Sequence, residues 1–264
     1  MRTSISSTIS KNINESIAVA KKLNMGIELS RVPNLQGIDT ELDNIAAMVK
    51  KAFDGFESHR SLHGMFFDLS VSSNDPLIKE VSQKRYRQSL EVGKAMNAEI
   101  IVFHSGNKGM KHKQSQEVFR DKSIQFWKEF IKEFEDAGII AVIENVHERY
   151  PAMILDIIKN VGSQNLRASL DTGHANLFSN VQIVHWIDEY KPYLSHMHIH
   201  NNMGDDDAHS NLYNGSLDFT KILNKIKSEN IDPLIVFEMF NIENIEKSLI
   251  LFNQIFEDDL CKKN

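Results

Sequence analysis

Six side chains able to bind a metal or move a proton, His63, His104, Glu144, Asp171, His198 and Glu238, stand where apolar runs end, with gaps of 41, 40, 27, 27 and 40 residues between them. Each gap has room for one strand and one helix. The spacing therefore puts a polar residue at the carboxyl end of successive strands, which in a parallel barrel is the active-site face. Glu144 follows Ile-Ile-Ala-Val-Ile and Glu238 follows Pro-Leu-Ile-Val-Phe. An unpaired carboxylate leaving a buried strand is costly, so each needs a cation. For either one alone, a Lys or Arg partner is the ordinary explanation. Two carboxylates converging in one mouth repel unless a metal or a shared proton lies between them.

The stretch His196-Met197-His198-Ile199-His200 adds imidazoles. Period-2 alternation puts its three histidines on one strand face and Met197 and Ile199 on the other. Histidine is the commonest metal ligand. The competing explanation, hydrogen-bonded imidazoles filling a barrel interior, weighs more for His196 and His200 than for His198. Asp171-Thr172-Gly173-His174 can place an oxygen and a nitrogen around one cavity, although an Asp in a turn with a nearby His is common. Asp207-Ala208-His209 offers a second such pair from a loop that opens Gly204-Asp205-Asp206, a run whose usual meaning is a solvated turn. His63-Gly64 and His104-Ser105-Gly106 read as strand-to-loop turns. His59, His112, His147 and His185 fall in or near helical or charged stretches and are assigned surface or supporting places. Carboxylates favour Mn, Mg or Co and imidazoles favour Zn, so the expected cofactor is a divalent metal of one of these kinds, at least one ion and up to three.

The elements needed to position these groups are legible. Candidate strands are Thr3–Ser6, Gly26–Ser30, Ser61–Phe66, Glu99–Phe103, Ile139–Glu144, Arg167–Leu170, Leu194–His200 and Leu234–Glu238. The fourth and eighth are near-continuous apolar runs, as strands buried on both faces require. Ile124, Trp127, Ile131 and Phe134 recur at helical spacing, as do Ile242, Ile245, Leu249, Phe252 and Phe256. Asn74-Asp75-Pro76 reads as a helix start, Lys111-His112-Lys113 as the solvated start of another, and Gly138 as a helix stop. Eight strand–helix units predict an α/β protein, a (β/α)8 barrel, as one domain over residues 1–264.

Composition limits the function classes. The chain has 264 residues, 41% apolar and 25% charged, and suits a globular protein with a large core. No long apolar run appears, and the opening MRTSISSTISKN lacks an apolar signal core, so neither a membrane span nor a signal peptide is expected. Cys261, the single cysteine, excludes an intrachain disulfide framework and suits a reducing compartment, and a cytoplasmic location is expected. A net charge of -6 gives no global basic footprint for nucleic acid, though a local basic groove remains compatible with it. No P-loop, GxGxxG fingerprint, GxSxG elbow or CxxC pair is present, which argues against nucleotide-dependent transfer, serine hydrolysis and thiol redox chemistry.

The ordered blocks HGMFFDL, VFHSG, VIENV, LDTGHANL, HMHIHNN with DDAH, and VFEMF resemble the xylose isomerase-like TIM-barrel superfamily, from about His63 to Glu238. That superfamily includes sugar and sugar-phosphate isomerases and epimerases as well as endonuclease IV. The resemblance implies a central divalent metal on Glu144, Asp171, His198 and Glu238, with His174 lining the pocket. In the endonuclease branch, His63, His104, His174, Asp207 and His209 complete a three-metal cluster. In the isomerase branch it implies a metal on adjacent oxygens of an open-chain sugar, with Glu144 and Glu238 as the acid–base pair for an enediolate. HGMFFDL is closer to the sugar enzymes, and basic, aromatic-rich DNA-contact loops are not evident, so a sugar or sugar-phosphate isomerase or epimerase is expected. A metal-dependent phosphodiesterase acting on nucleic acid is the alternative, and a non-catalytic sugar- or metal-binding barrel the second. Ketose 3-epimerases carry an Arg six residues after the strand-seven His; Gly204 stands there, which counts against that assignment. Related isomerases suggest a homo-oligomer.

Overall fold

The computed structural model describes residues 1–32 and 35–256, so Cys261 lies outside the described residues. Eight parallel strands close a barrel in chain order: β1 Thr3–Ser6, β2 Gly26–Leu29, β3 Arg60–His63, β4 Ile100–His104, β5 Ile140–Glu144, β6 Leu166–Asp171, β7 Leu194–Ile199 and β8 Leu234–Phe237. β8 closes on β1 through Ser4 opposite Val236. Outside run α1 Ile13–Leu23, α2 Ile38–Ala52, α3 Pro76–Ala95, α4 Lys113–Ala137, α5 Ala152–Val161, α6 Thr172–Phe178, α7 Ile183–Tyr190, α8 Phe219–Ser228 and α9 Ile242–Phe256. The predicted stops and starts hold. Asp75 caps α3 through its side chain with Pro76 in the first turn, His112 precedes α4, and Gly138 ends α4 at φ 66°. No described helix is long and apolar enough to cross a membrane.

Alternation along each strand divides the protein into two cores. Outward residues such as Ile5, Ile27, Leu62, Phe103, Ile143, Leu170, Met197 and Phe237 pack against the helices with Trp186, Tyr190 and Phe134. Each such large side chain contributes roughly 1.5–3 kcal/mol when fully buried. Inward residues form a separate, smaller cluster of Ile100, Val102, Val142, Leu234 and Val236. That apolar plug comes from β4, β5 and β8 only. Other inward positions are polar and fully buried, among them Ser4, Ser6, Glu28, Ser61, Ser169 and His196. A barrel interior half apolar and half polar is the floor on which the strand-end residues stand.

Two departures from the expected strands matter for the site. β3 stops at His63 rather than Phe66, because Gly64 makes the last ladder bond to Val102 O (2.8 Å) and the chain then turns away. A Cβ at position 64 would lie 2.6 Å from the Phe103 ring, so only glycine fits there. Phe66 consequently folds over the strand ends, its ring centroid 4.7 Å from that of His63 and 4.3 Å from that of His104. Between β6 and β7 the register shifts at Ala168/Ser169, which sets Ser169 opposite His196 and Asp171 opposite His198.

Candidate metal centre

All nine candidate residues come to the carboxyl-end mouth of the barrel. His63, His104, Glu144 and Asp171 are the last residues of β3, β4, β5 and β6, and His198 lies one residue before the end of β7. His63 and His104 thus belong to strands rather than to turns. Glu238 directly follows β8, Asp171 also caps α6 by accepting from His174 N (2.7 Å), and His209 is held at φ 46° in the loop after β7.

Glu144 is the hub. Its Oε1 lies 2.6 Å from His198 Nδ1, while Oε2 lies 3.4 Å from His63 Nε2 and 3.1 Å from His104 Nε2. His198 Nδ1 is also 3.6 Å from Asp171 Oδ2 and 3.6 Å from Glu238 Oε2. Three groups bring donor atoms within 4.8 Å of one another at this mouth: His63, His104 and Glu144; Glu144, Asp171 and His198; and His200, His209 and Glu238. Asp207 Oδ2 lies between His174 Nε2 (3.5 Å) and His209 Nε2 (3.2 Å).

The donor set fits a metal for two reasons. First, the histidines are oriented by bonds that face away from the mouth. Nδ1–H of His63 donates to Gly64 O (2.9 Å), that of His174 to Asn145 O (3.1 Å) and that of His209 to Glu238 O (2.8 Å), which leaves each Nε2 facing the carboxylates. Such outward hydrogen bonds fix the tautomer of a ligating imidazole. Second, the buried polar atoms without a hydrogen-bond partner include Glu144 Oε2, His200 Nδ1 and Asp207 Oδ1, all in this cluster. Buried polar atoms are normally satisfied, and a cation satisfies several at once.

Carboxylates and imidazoles in the cluster shift one another's titration. Burial opposes charge on His198, yet the carboxylates of Glu238, Glu28 and Glu144 raise its pKa well above the ordinary imidazole value. Burial likewise opposes ionisation of Glu144, and His198 and His104 nevertheless hold it well below the usual carboxylate range. His209 rises to about 9 against burial because Asp207 and Glu238 face it. His104 is lowered by burial. Anionic carboxylates facing histidines that carry protons are a donor set in which a bound metal would take the place of those protons.

Glu28 and Asn145 were not foreseen. Glu28, fully buried in the barrel, accepts from His198 Nε2 (2.7 Å), His196 Nε2 (3.0 Å) and Ser61 Oγ (2.9 Å). It turns His198 so that Nδ1 faces the mouth. His196, bonded to Ser169 and Glu28, is one of the interior-filling imidazoles. His200 instead joins the site, 3.3 Å from Asp171 Oδ2 and stacked on His209 at 4.0 Å. Asn145 staples the ends of β5 and β6, donating to Asp171 O (3.0 Å) and accepting from Asp171 N (2.9 Å). His147 lies outside the cluster, bonded to Asn107 O and packed on Phe178.

Comparison with known proteins gives this arrangement a family. MJ1311, an uncharacterized protein of Methanocaldococcus jannaschii, is 26% identical over 211 residues, spanning 77% of this chain and 72% of its own. A D-tagatose 3-epimerase-like protein superposes with TM-score 0.84 at 23% identity, with full coverage of both chains. The TTHB071 protein of Thermus thermophilus, in crystals soaked with ZnCl2, superposes with TM-score 0.81 at 21% identity, covering 98% of this chain and 99% of that one. Residues 17–254 match the family model described as xylose isomerase-like TIM barrel, and the chain belongs to that family.

Proposed function

We propose that this protein is a divalent-metal-dependent isomerase or epimerase of a sugar or sugar phosphate, with Glu144, Asp171, His198 and Glu238 as the central ligand set. The observation that carries the reading is that Glu144 and Glu238 approach one point, His198 Nδ1, from strands on different sides of the barrel mouth, at 2.6 and 3.6 Å. A divalent cation held there supplies Lewis acidity toward a carbonyl oxygen, which acidifies the neighbouring C–H. The chain's own residues do the rest. Glu238, 13% exposed, is the more open carboxylate and is assigned the first proton removal. Glu144, enclosed by three histidines, returns a proton from the other side or stays a ligand. Phe66 and the imidazoles around it restrict water. The likeness to the D-tagatose 3-epimerase-like protein supports the same substrate class.

A second reading rests on a specific observation. The His63–His104–Glu144 group and the His200–His209–Glu238 group, with Asp207 beside it, exceed what one metal needs. Glu144, with Oε2 toward His63 and His104 and Oε1 toward His198, would offer an oxygen to each of two cations, and a pair of cations would supply the charge neutralisation and water activation that phosphodiester hydrolysis needs. The discriminating experiment incubates the metal-loaded protein in deuterated water with a panel of sugars and sugar phosphates, and separately with an abasic oligonucleotide. Deuterium entering a substrate carbon, lost in Glu238→Gln by about 10²-fold or more, supports the isomerase. Incision without exchange on any sugar assigns the hydrolase.

A further inference from the structure

His200 directly follows β7 and is fully buried. Its backbone is fixed by Thr172, whose Oγ1 accepts from His200 N (3.2 Å) and donates to His200 O (2.9 Å). Gly173 makes room for the ring, because a Cβ there would lie 1.9 Å from Cε1 and 2.5 and 2.7 Å from the two ring nitrogens. The ring places Nε2 3.3 Å from Asp171 Oδ2 and 3.9 Å from Glu238 Oε2. His198 Nδ1 stands 3.6 Å from each of the same two oxygens. Two atoms bonded to one ion at about 2.1 Å are ~3.0 Å apart at a right angle and ~3.9 Å apart at about 135°. All four separations fall in that interval, so toward Asp171 and Glu238 the His200 nitrogen is placed as a co-ligand, as that of His198 is.

The other ring nitrogen supplies an independent observation. Nδ1 is buried without a hydrogen-bond partner, and so is Asp207 Oδ1, 4.0 Å away. A neutral imidazole carries its proton on one nitrogen only. With the proton on Nε2 for Asp171, Nδ1 turns a lone pair toward a carboxylate and both atoms stay unsatisfied. With Nε2 on a metal, the proton sits on Nδ1 and faces Asp207, and a closure of about 1 Å completes the bond. That is the carboxylate–histidine–metal arrangement in which a ligating imidazole donates its second N–H to an acidic side chain. His209 does not share this ion as the rings stand. The two imidazoles are stacked, with centroids 4.0 Å apart and planes inclined by 11°, so their in-plane lone pairs point to different places. His209 Nε2 faces Asp207 Oδ2 instead, at 3.2 Å.

We propose that His200 is a fifth ligand of the central ion through Nε2, with Asp207 accepting the hydrogen bond from its Nδ1–H. This rests on the reading of Glu144, Asp171, His198 and Glu238 as the central shell, and not on the identity of the substrate. Its consequence is metal choice. A second imidazole in the shell favours Zn over Mn or Mg, which carboxylate oxygens suit better.

The test loads the full-length apo-protein with one equivalent of Mn and counts metal-bound imidazole nitrogens by pulsed electron paramagnetic resonance, in the native chain, His200→Gln and His200→Asn. Circular dichroism establishes that the variants fold, and competition against a chelating dye gives their Zn and Mn affinities. The expected result is one bound imidazole fewer in each variant, with Zn affinity reduced by ~100-fold or more, at or beyond the upper end for an outer-shell partner. Mn affinity falls less, so the Zn-over-Mn preference drops by ~10-fold or more, a change that a merely structural role would not produce. An unchanged nitrogen count in a folded variant makes His200 a donor to Asp171 and overturns the proposal. Should neither variant fold, a crystal of the native chain grown with Zn decides: His200 Nε2 is expected within about 2.0–2.3 Å of the ion that His198 Nδ1 binds, and a separation of more than ~3 Å overturns the proposal. An ion on the four central ligands with His200 outside its shell overturns this proposal alone, whereas no ion among those four refutes the reading on which it rests. Every readout is made without turnover, so loss of exchange activity on sugars refutes the isomerase reading and leaves this result intact.

Discussion

Glu28 offers a sharp test of how the barrel interior builds the metal centre. Its two oxygens accept from His198 Nε2 at 2.7 Å and His196 Nε2 at 3.0 Å, and all three side chains are fully buried. In Glu28→Gln, the amide oxygen can keep the His198 bond while the amide nitrogen faces His196. The His196 proton then moves to Nδ1, where Ser169 Oγ stands 2.8 Å away to accept it. That variant removes the charge and keeps the orientation. Glu28→Leu removes both, and leaves His198 free to carry its proton on Nδ1, where a lone pair is needed to bind the metal. Partners in the outer shell of a metal site are typically worth 10–100-fold in affinity. The charge alone is therefore assigned about 10-fold, or ~1.4 kcal/mol, and charge plus orientation about 100-fold, or ~2.8 kcal/mol. The assay is competition of the apo-protein against a chelating dye for Zn or Mn, with circular dichroism to establish folding. A folded leucine variant with native affinity refutes the role given to Glu28; if that variant does not fold, native affinity in the glutamine variant does so.

Three further outcomes follow from the same geometry. Loading the apo-protein with Zn at pH 7 should release protons, because His209 titrates at about 9 and His174 and His198 are raised well above the ordinary value; calorimetry in two buffers of different ionisation enthalpy reads the number, and zero release contradicts the exchange of protons for metal. Gly173→Ala should destabilise by about 1–3 kcal/mol and weaken metal binding, since a Cβ there would lie 1.9 Å from His200 Cε1; an unchanged urea midpoint would count against it. Burial raises the pKa of Glu148 above its ordinary 4.5 despite bonds from Ser105 Oγ and Val146 N. The folded state thus holds a proton that the unfolded state has lost, so this group's stabilisation is complete below pH ~4.5 and declines as pH rises through the folded value. Glu148→Gln should flatten that slope in urea midpoints measured across the window, and an identical slope would refute it.

The strand-end pattern was legible because two local signals coincide there: a run of apolar residues ends, and the next inward position of a period-2 strand carries a ligand type. Glu144 and Glu238 meet both conditions most plainly, while His198 shows through the alternation of three histidines in one strand. Glu28 is inward but ends no apolar run, since it stands inside Gly-Ile-Glu-Leu, and its partners are 168 and 170 residues away. Only barrel closure brings β2 opposite β7. His200 was ambiguous for a similar reason, because its neighbours Asp171 and His209 depend on the β6–β7 register shift and on a left-handed residue in a loop. Phe66 read as strand because its apolar character continues the run, whereas the close approach of Gly64 to Phe103 turns the chain one residue after His63.

The central claim is that Glu144, Asp171, His198 and Glu238 form one metal shell, and a crystal structure of the protein grown with Mn or Zn, with the ion located by its anomalous scattering, tests it most directly. An anomalous peak is expected within about 2.0–2.3 Å of His198 Nδ1 and of carboxylate oxygens from Glu144, Asp171 and Glu238, the ordinary bond lengths for such ligands. A fully loaded crystal with no peak among these four side chains would contradict it.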